Sequence, residues 1–306
     1  MKTFLFFFLF TVLFPAAPIF GGGEQELTLY YTASLNGNLE GCDCKGAPKA
    51  GLVKRAAFLK DLPSESSSIL VDGGDIFEVH ADELLADYIL EVYDKYGYDA
   101  VGIGDQEFSN GPEYLLEKAE SFPFVCHNLR VMDERGKWRN VSEGPTVIRK
   151  GRAAVGIISV IDPEVFTFYG PDTTDRLEIT PPATTAERQA GFLAEQDVSL
   201  VLLLYHGYWD HAVETVEAVT GIDVAVVAHE QLLKEPVERN GTVMVSPGEQ
   251  GNRVGILQLR VEKGRIKEYI NRFEYFSYTR DPDDPYVREV INEYYKELTE
   301  RIKTTE

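Results

Sequence analysis

The chain has 306 residues, an apolar share of 44% and a net charge of −20. That length holds one large core or two small ones. So acidic a chain repels phosphate backbones, and no nucleic-acid partner is expected.

Met1 and Lys2 precede an apolar run from Phe4 to Phe20 that Pro15 and Pro18 interrupt. A single basic residue before a short apolar stretch is the pattern of a secretory signal, with cleavage between Ala16 and Gly23. Residues 1–23 are therefore read as a leader, and the mature protein as secreted or periplasmic. No later stretch is long and apolar enough to span a bilayer. Oligomeric state is not legible.

The remainder alternates strand and helix patterns. Leu27–Ser34 reads as a strand, Ala50–Leu62 as a helix and Ser68–Asp75 as a buried strand ending in a glycine turn. Asp82 caps a helix running to Tyr96. A strand over Asp99–Asp105, a helix over Gly111–Glu120 with Pro112 in its first turn, and a strand over Phe122–Asn128 follow. Ala153–Ile161 and Val198–His206 are nearly continuous apolar runs, as strands covered on both faces require. A helix over Thr184–Gln196 lies between them. Strands over Gly221–His229, Gly241–Gly248 and Arg253–Val261, an alternating run to Tyr278 and an amphipathic helix over Asp284–Arg301 complete the chain. The class is α/β with helices on both sheet faces. One domain over residues 24–278 is expected, with the final helix, 279–306, packed on it.

In such sheets ligands bind beyond the carboxyl ends of strands. Ser34 and Asn36, Asp75, Asp105 to Glu107, Cys126 to Asn128, His206 and His229 with Gln231 all stand at such ends. Aspartate oxygens and histidine nitrogens suit Zn, Mn or Fe. His80 and His211 read as surface residues, Lys54 and Arg55 as a solvated helix face, and the run Phe273, Tyr275, Phe276, Tyr278 as core.

The blocks LTLYYTASLNGNLE, LVDGGDIF, GDQEFSNG, LLLYHG, GIDVAVVAHEQ and VSPGEQGNRVG, in this order, resemble the catalytic domain of the 5′-nucleotidases. These are calcineurin-like metallophosphoesterases. The resemblance covers Leu27 to Val261 and implies a four-layer sandwich of two mixed β-sheets flanked by helices. It also implies two divalent ions that clamp a phosphoester and activate water. Typical members carry a further nucleoside-holding domain, for which nothing here resembles a counterpart.

The family's usual blocks read T-N-D-x-H-G-x-L-E, D-x-G-D, G-N-H-E-F-D-x-G and G-H-x-H. Against them, Asp75, Asp105, His206 and His229 fall at the ligand positions of one ion and the bridging carboxylate. Ser34, Asn36 and Gln231 replace ligands of the other ion, and Gln106 replaces the catalytic histidine. The resemblance thus implies a degenerate site with one divalent ion (Mn, Zn or Fe). The chain reads as a weak or specialised phosphoester hydrolase of small phosphorylated substrates.

The loop LEGCDCKGAPKAG resembles a divergent secreted branch with an L-E-x-C-x-C motif and selenoprotein-like relatives. Three states of its thiols are open. Cys126, at a strand end on the same rim, bonds Cys42 or Cys44. Cys42 bonds Cys44 in a small, reducible ring. Or Cys42, Cys44 and Cys126, with His127, hold a soft metal. The alternative function is accordingly a non-hydrolytic redox, ligand-binding or metal-binding protein that uses this cysteine rim.

Overall fold

A computed structural model describes residues 25–45, 48–62, 67–248 and 251–305; the expected leader lies outside the described residues. In chain order the first half contains β1 (Gln25–Thr32), α1 (Gly51–Leu59), β2 (Ser68–Asp72), α2 (Glu83–Tyr96), β3 (Ala100–Gly102), α3 (Pro112–Lys118) and β4 (Phe124–Val125). Then come β5 (Leu129–Met132), β6 (Trp138–Asn140), β7 (Thr146–Lys150), β8 (Ala153–Ile161), α4 (Pro171–Thr174), β9 (Leu177–Ile179) and α5 (Pro182–Ala194). The last part holds β10 (Leu200–Gly207), α6 (Trp209–Ala218), β11 (Val224–His229), β12 (Leu233–Arg239), β13 (Thr242–Pro247), β14 (Arg253–Glu262), β15 (Arg265–Tyr275) and α7 (Pro285–Thr305).

Two six-stranded mixed sheets carry the fold, with strand orders β15-β14-β1-β2-β3-β4 and β12-β13-β11-β10-β8-β7. The period of two sorts their side chains into layers. Leu27, Leu29 and Tyr31 of β1 and Ile69 and Val71 of β2 meet Val155, Ile157, Leu202, Leu204, Val224 and Val226 between the sheets. Tyr30 and Leu70 point the other way, into a core shared with α1, α2 and α7. Ile158, Val160, Leu203 and Val227 pack under α5 and α6. The result is helices, sheet, sheet, helices, as expected. Each fully buried aliphatic side chain contributes about 1.5–3 kcal/mol. No helix among the described residues is long and apolar enough to cross a membrane.

The structure adds elements that the sequence pattern does not announce. β5, β6 and β9 form a separate three-stranded sheet. β12 is a polar edge strand containing Pro236, with a register shift between Lys234 and Val237. An edge position tolerates that proline.

α1 departs from expectation. Arg55 is fully buried and Lys54 nearly so, rather than solvated. Arg55 packs inward against Tyr93 and Tyr98, and Lys54 is held from far along the chain. Lys54 Nζ pairs with Asp283 Oδ1 at 2.6 Å, and the Asp284 amide donates to the Val53 carbonyl at 2.9 Å. The segment leading into α7 therefore covers Lys54, which spacing assigned to solvent. Tyr275, expected in the core, is 54% exposed on an edge strand.

Candidate metal centre

Asp75, Asp105, His206 and His229 come from four places in the chain and meet at one rim. Asp75 follows β2, Asp105 follows β3, His206 lies near the end of β10 and His229 ends β11. One ligand atom from each lies within 4.8 Å of the others. His206 Nε2 stands 3.3 Å from Asp75 Oδ1 and 3.6 Å from Asp105 Oδ1. His229 Nδ1 stands 3.1 Å from Asp105 Oδ1 and 3.8 Å from Asp75 Oδ2. Bonds of about 2.1 Å to a tetrahedral ion place neighbouring ligands about 3.4 Å apart, so these separations match such a shell.

The side chains are oriented by the backbone. His206 Nδ1 donates to the Gly73 carbonyl at 2.8 Å, which leaves Nε2 toward the two aspartates. Gly74 has φ +100°, a left-handed turn that lets β2 deliver Asp75 against β3. A Cβ on Gly104 would run into Asp75 Oδ1 and the His206 ring, so only glycine fits that wall. Asp75 and His206 are buried and form the floor, while Asp105 and His229, at 13% and 21% side-chain exposure, form the mouth.

These atoms fit a cation. Asp105 Oδ1, His206 Nε2 and His229 Nδ1 are buried without a hydrogen-bond partner among the described residues. Buried polar atoms left unpaired are costly, and converging ones call for positive charge between them. The titration of the bare residues expresses the same demand. Burial pushes the Asp75 carboxyl up, but the rings of His206 and His229 outweigh it and hold it well below the usual carboxylate range. Burial opposes charge on His229, yet Asp105 and Asp75 lift it to about 9. The two carboxylates thus favour positive charge at both imidazoles, as a divalent ion would supply it.

Glu107, which stands at a strand end without an assigned role, and Tyr169, which no pattern singles out, hold the site together. The carboxylate of buried Glu107 accepts from the amides of Asp75, Ile76 and Gly104 at 3.0, 2.8 and 2.6 Å. It ties the two ligand loops to each other. Burial and the Asp75 charge raise its pKa to about 7. Tyr169 Oη donates to the Asp105 carbonyl at 2.7 Å and holds that loop from the side. Glu107 was visible as an acid directly behind a buried strand; Tyr169 carries no signal in the sequence.

Ser34, Asn36 and Gln106 stand beside this cluster of candidate ligands. The Ser34 amide donates to the Gly74 carbonyl at 2.8 Å and the Asn36 amide to the Asp75 carbonyl at 2.9 Å. Gln106 donates from its backbone to Asp75 Oδ1 at 3.2 Å and from Nε2 to Asn36 Oδ1 at 3.0 Å. Ser34, Asn36, Asp75, His229 and Gln231 are all non-glycine residues with positive φ, from 51° to 93°. Such backbone persists only where its surroundings over-determine it, and it gathers at functional sites. Asp75, Asp105, His206 and His229 are the one cluster of metal-ligating side chains among the described residues.

The cysteines do not form a common rim. Cys42 and Cys44 are joined in a disulfide, and Cys126 is a buried free thiol. Of the three open states, the structure has the Cys42–Cys44 bond, and Cys126 is engaged by its neighbours inside the fold. Cys126 Sγ lies 3.4 Å from Asn128 Oδ1, and its amide donates to Ser142 Oγ at 2.9 Å. His127 and Asn128 likewise stitch this strand to β8, through Ser159 and Ile161. His211 is half-buried rather than free, with Nδ1 2.6 Å from Asp162 Oδ2. It lines an open cavity of about 430 Å³ beside the mouth, together with Tyr208, Trp209, Glu230 and Lys234. His80 is exposed, as expected.

No family model matches the chain. In sequence it is 26% identical over 238 residues to a snake venom 5′-nucleotidase from Gloydius brevicauda, covering 71% of this chain and 39% of that protein. The fold matches a 5′-nucleotidase precursor from Thermus thermophilus with TM-score 0.76 and 21% identity, over 90% of this chain and 59% of the other. It also matches the calcineurin-like phosphoesterase YfkN from Bacillus subtilis with TM-score 0.76 and 18% identity, over 92% of this chain and all of that one. The chain spans 39% of the length of the venom relative. It is thus similar in sequence to a 5′-nucleotidase and shares the fold of the 5′-nucleotidase precursor and of the calcineurin-like phosphoesterase.

Proposed function

We propose, from this kinship and from the converging ligand atoms, that the chain is a phosphoester hydrolase working with a single divalent ion. The observation that carries the reading is the set of orphaned, buried donor atoms of Asp105, His206 and His229 around Asp75. The ion is Mn, Zn or Fe, because two carboxylates and two imidazoles suit these metals. When bound it polarises a phosphoryl oxygen and makes a water acidic enough to react near neutral pH.

The chain's own residues define what remains. Gln106 and Asn36 offer neutral amides beside Asp75, which can hydrogen-bond a phosphoryl oxygen but cannot give up a proton. Loss of a general acid costs about 10²- to 10⁴-fold in rate. The site therefore favours small substrates whose leaving group departs without protonation, such as aryl phosphates or phosphoanhydrides, over alkyl phosphates. The net charge of −20 disfavours polynucleotides.

The chain is further read as exported. The apolar run behind Lys2 and the disulfide between Cys42 and Cys44 both suit an oxidising compartment. N-terminal sequencing of the protein recovered outside the cytoplasm tests this; retention of Met1 there would reject a cleaved leader.

The hydrolase reading is tested with purified protein reconstituted separately with Mn, Zn and Fe. About one ion per chain and turnover of nitrophenyl phosphate exceeding that of an alkyl phosphate are expected, with both lost in Asp75→Asn. A metal-loaded protein that turns over neither ester would overturn it.

A further inference from the structure

The disulfide between Cys42 and Cys44 is not explained by hydrolysis. It closes over a single residue, at a sequence separation of two. The stabilisation that a disulfide gives by restricting the unfolded chain grows with the length of the loop it closes, so this one has almost the least available. Neither cysteine belongs to a hydrophobic cluster of the core. A structural staple is therefore a poor account of it.

The loop presents the bond instead. Cys44 is exposed and Cys42 half-exposed. Cys42 is fixed at the base, where its amide donates to the Lys49 carbonyl at 2.8 Å and the Lys49 amide donates back at 2.9 Å. Gly41, with φ +84°, packs so closely on Lys49 and Ala50 that no Cβ fits there. One sulfur thus sits on a rigid anchor directly before α1, and the other on the outward side of the loop. Lys45 follows Cys44 and Lys49 stands opposite Cys42, cations of the kind that favour thiolate. The third thiol is out of play: Cys126 is enclosed, and burial pushes its pKa up to about 12.

We propose that Cys42 and Cys44 are a reversible thiol–disulfide couple that accepts electrons from an external dithiol. A thiolate of the donor attacks the exposed Cys44 sulfur. The Cys42–Cys44 bond breaks, and its electron pair leaves on Cys42, which takes up a proton. The donor's second thiolate then attacks the donor sulfur of the mixed disulfide and releases Cys44 as a thiolate, which is protonated in turn. Two electrons and two protons pass from the donor dithiol, which becomes a disulfide, to the pair.

The test equilibrates the full mature chain with mixtures of reduced and oxidised dithiothreitol and counts alkylated thiols by mass spectrometry. The pair is expected to reduce and reoxidise with unchanged circular dichroism, while Cys126 stays unlabelled until denaturant is added. With oxidised glutathione, Cys42→Ser should trap an adduct on Cys44 faster than Cys44→Ser traps one on Cys42. A pair that reduces only when the protein unfolds, labelling of Cys126 alongside it, or equal trapping by the two variants would overturn the proposal. Phosphatase turnover of the same samples is read separately, so failure of either activity leaves the other assignment standing.

Discussion

His206 donates from Nδ1 to the carbonyl of Gly73 at 2.8 Å, so the loop carrying Asp75 also aims the histidine that faces it. Two prospective ligands are thus set by one piece of backbone. Gly104 closes the same wall, where a Cβ would meet both Asp75 and His206. Gly104→Ala is expected to weaken metal affinity about 10- to 100-fold, as mispositioned ligands do. His206→Gln should reduce bound metal to background. Chelator competition measures both, and unchanged affinity in Gly104→Ala would show that the wall yields without moving the ligands.

Glu107 satisfies three backbone donors with one buried carboxylate. Glu107→Ala leaves all three unpaired, at about 1–3 kcal/mol each, so a loss of about 3 kcal/mol or more is expected in urea unfolding. Glu107→Gln keeps an accepting oxygen and should lose less. Equal losses in the two variants would mean that the packing of the side chain, rather than its hydrogen bonds, carries the effect.

Behind the site, Arg55 Nη2 donates to Tyr93 Oη at 2.6 Å, and Tyr93 donates to Asp72 Oδ2 at 2.9 Å. Asp72 Oδ1 in turn accepts from the Gly74 amide at 2.9 Å. Burial pushes Asp72 toward its neutral form, and Arg55 is the cation that opposes this. Tyr93→Phe removes one hydroxyl and is expected to cost about 2 kcal/mol. Arg55→Met leaves a buried carboxylate without its cation, at about 3–5 kcal/mol. Both are read as shifts in the denaturation midpoint; a neutral Arg55→Met would mean that Asp72 simply takes a proton.

The hydrogen bond to Asp162 holds the His211 pKa above its ordinary value, and Glu164 and Glu214 add to the shift. A histidine whose folded pKa is raised contributes stability that is fully present below its unfolded pKa of about 6.5 and is lost as pH rises through the folded value. The ring is 36% exposed, so the effect is small. The stability gap between the protein and His211→Gln should narrow above neutral pH. An NMR titration following His211 is the direct check, and a midpoint at or below about 6.5 would refute the assignment.

The parts of the fold that were legible are those where one local pattern is decisive. β8 and β10 are covered on both faces, and their unbroken apolar runs announce them with bounds that need little change. The four candidate residues could be picked out because each lies at or just beyond the end of a strand. β5, β6 and β9 were not visible: they are short and carry Arg130, Trp138, Arg139 and Glu178, so their pairing is decided by tertiary contact. The burial of Lys54 and Arg55 is hidden for the same reason: Lys54 is covered by Asp281 and Asp283, more than two hundred residues later, and Arg55 by Tyr93 and Tyr98. Three cysteines allow several pairings, and spacing does not choose among them.

β1 lies in the interior of its sheet, between β2 and β14, with Gln25 opposite Val261. Until residues 253–262 have been synthesised, one whole edge of β1 has no partner. Chains whose contacts span such separations fold slowly, and a growing chain exposes apolar strand edges while it waits. The order of manufacture therefore makes the near-terminal strand the gatekeeper of the fold. A chain interrupted before Arg253 is expected to leave that edge of β1 open to pairing with other chains.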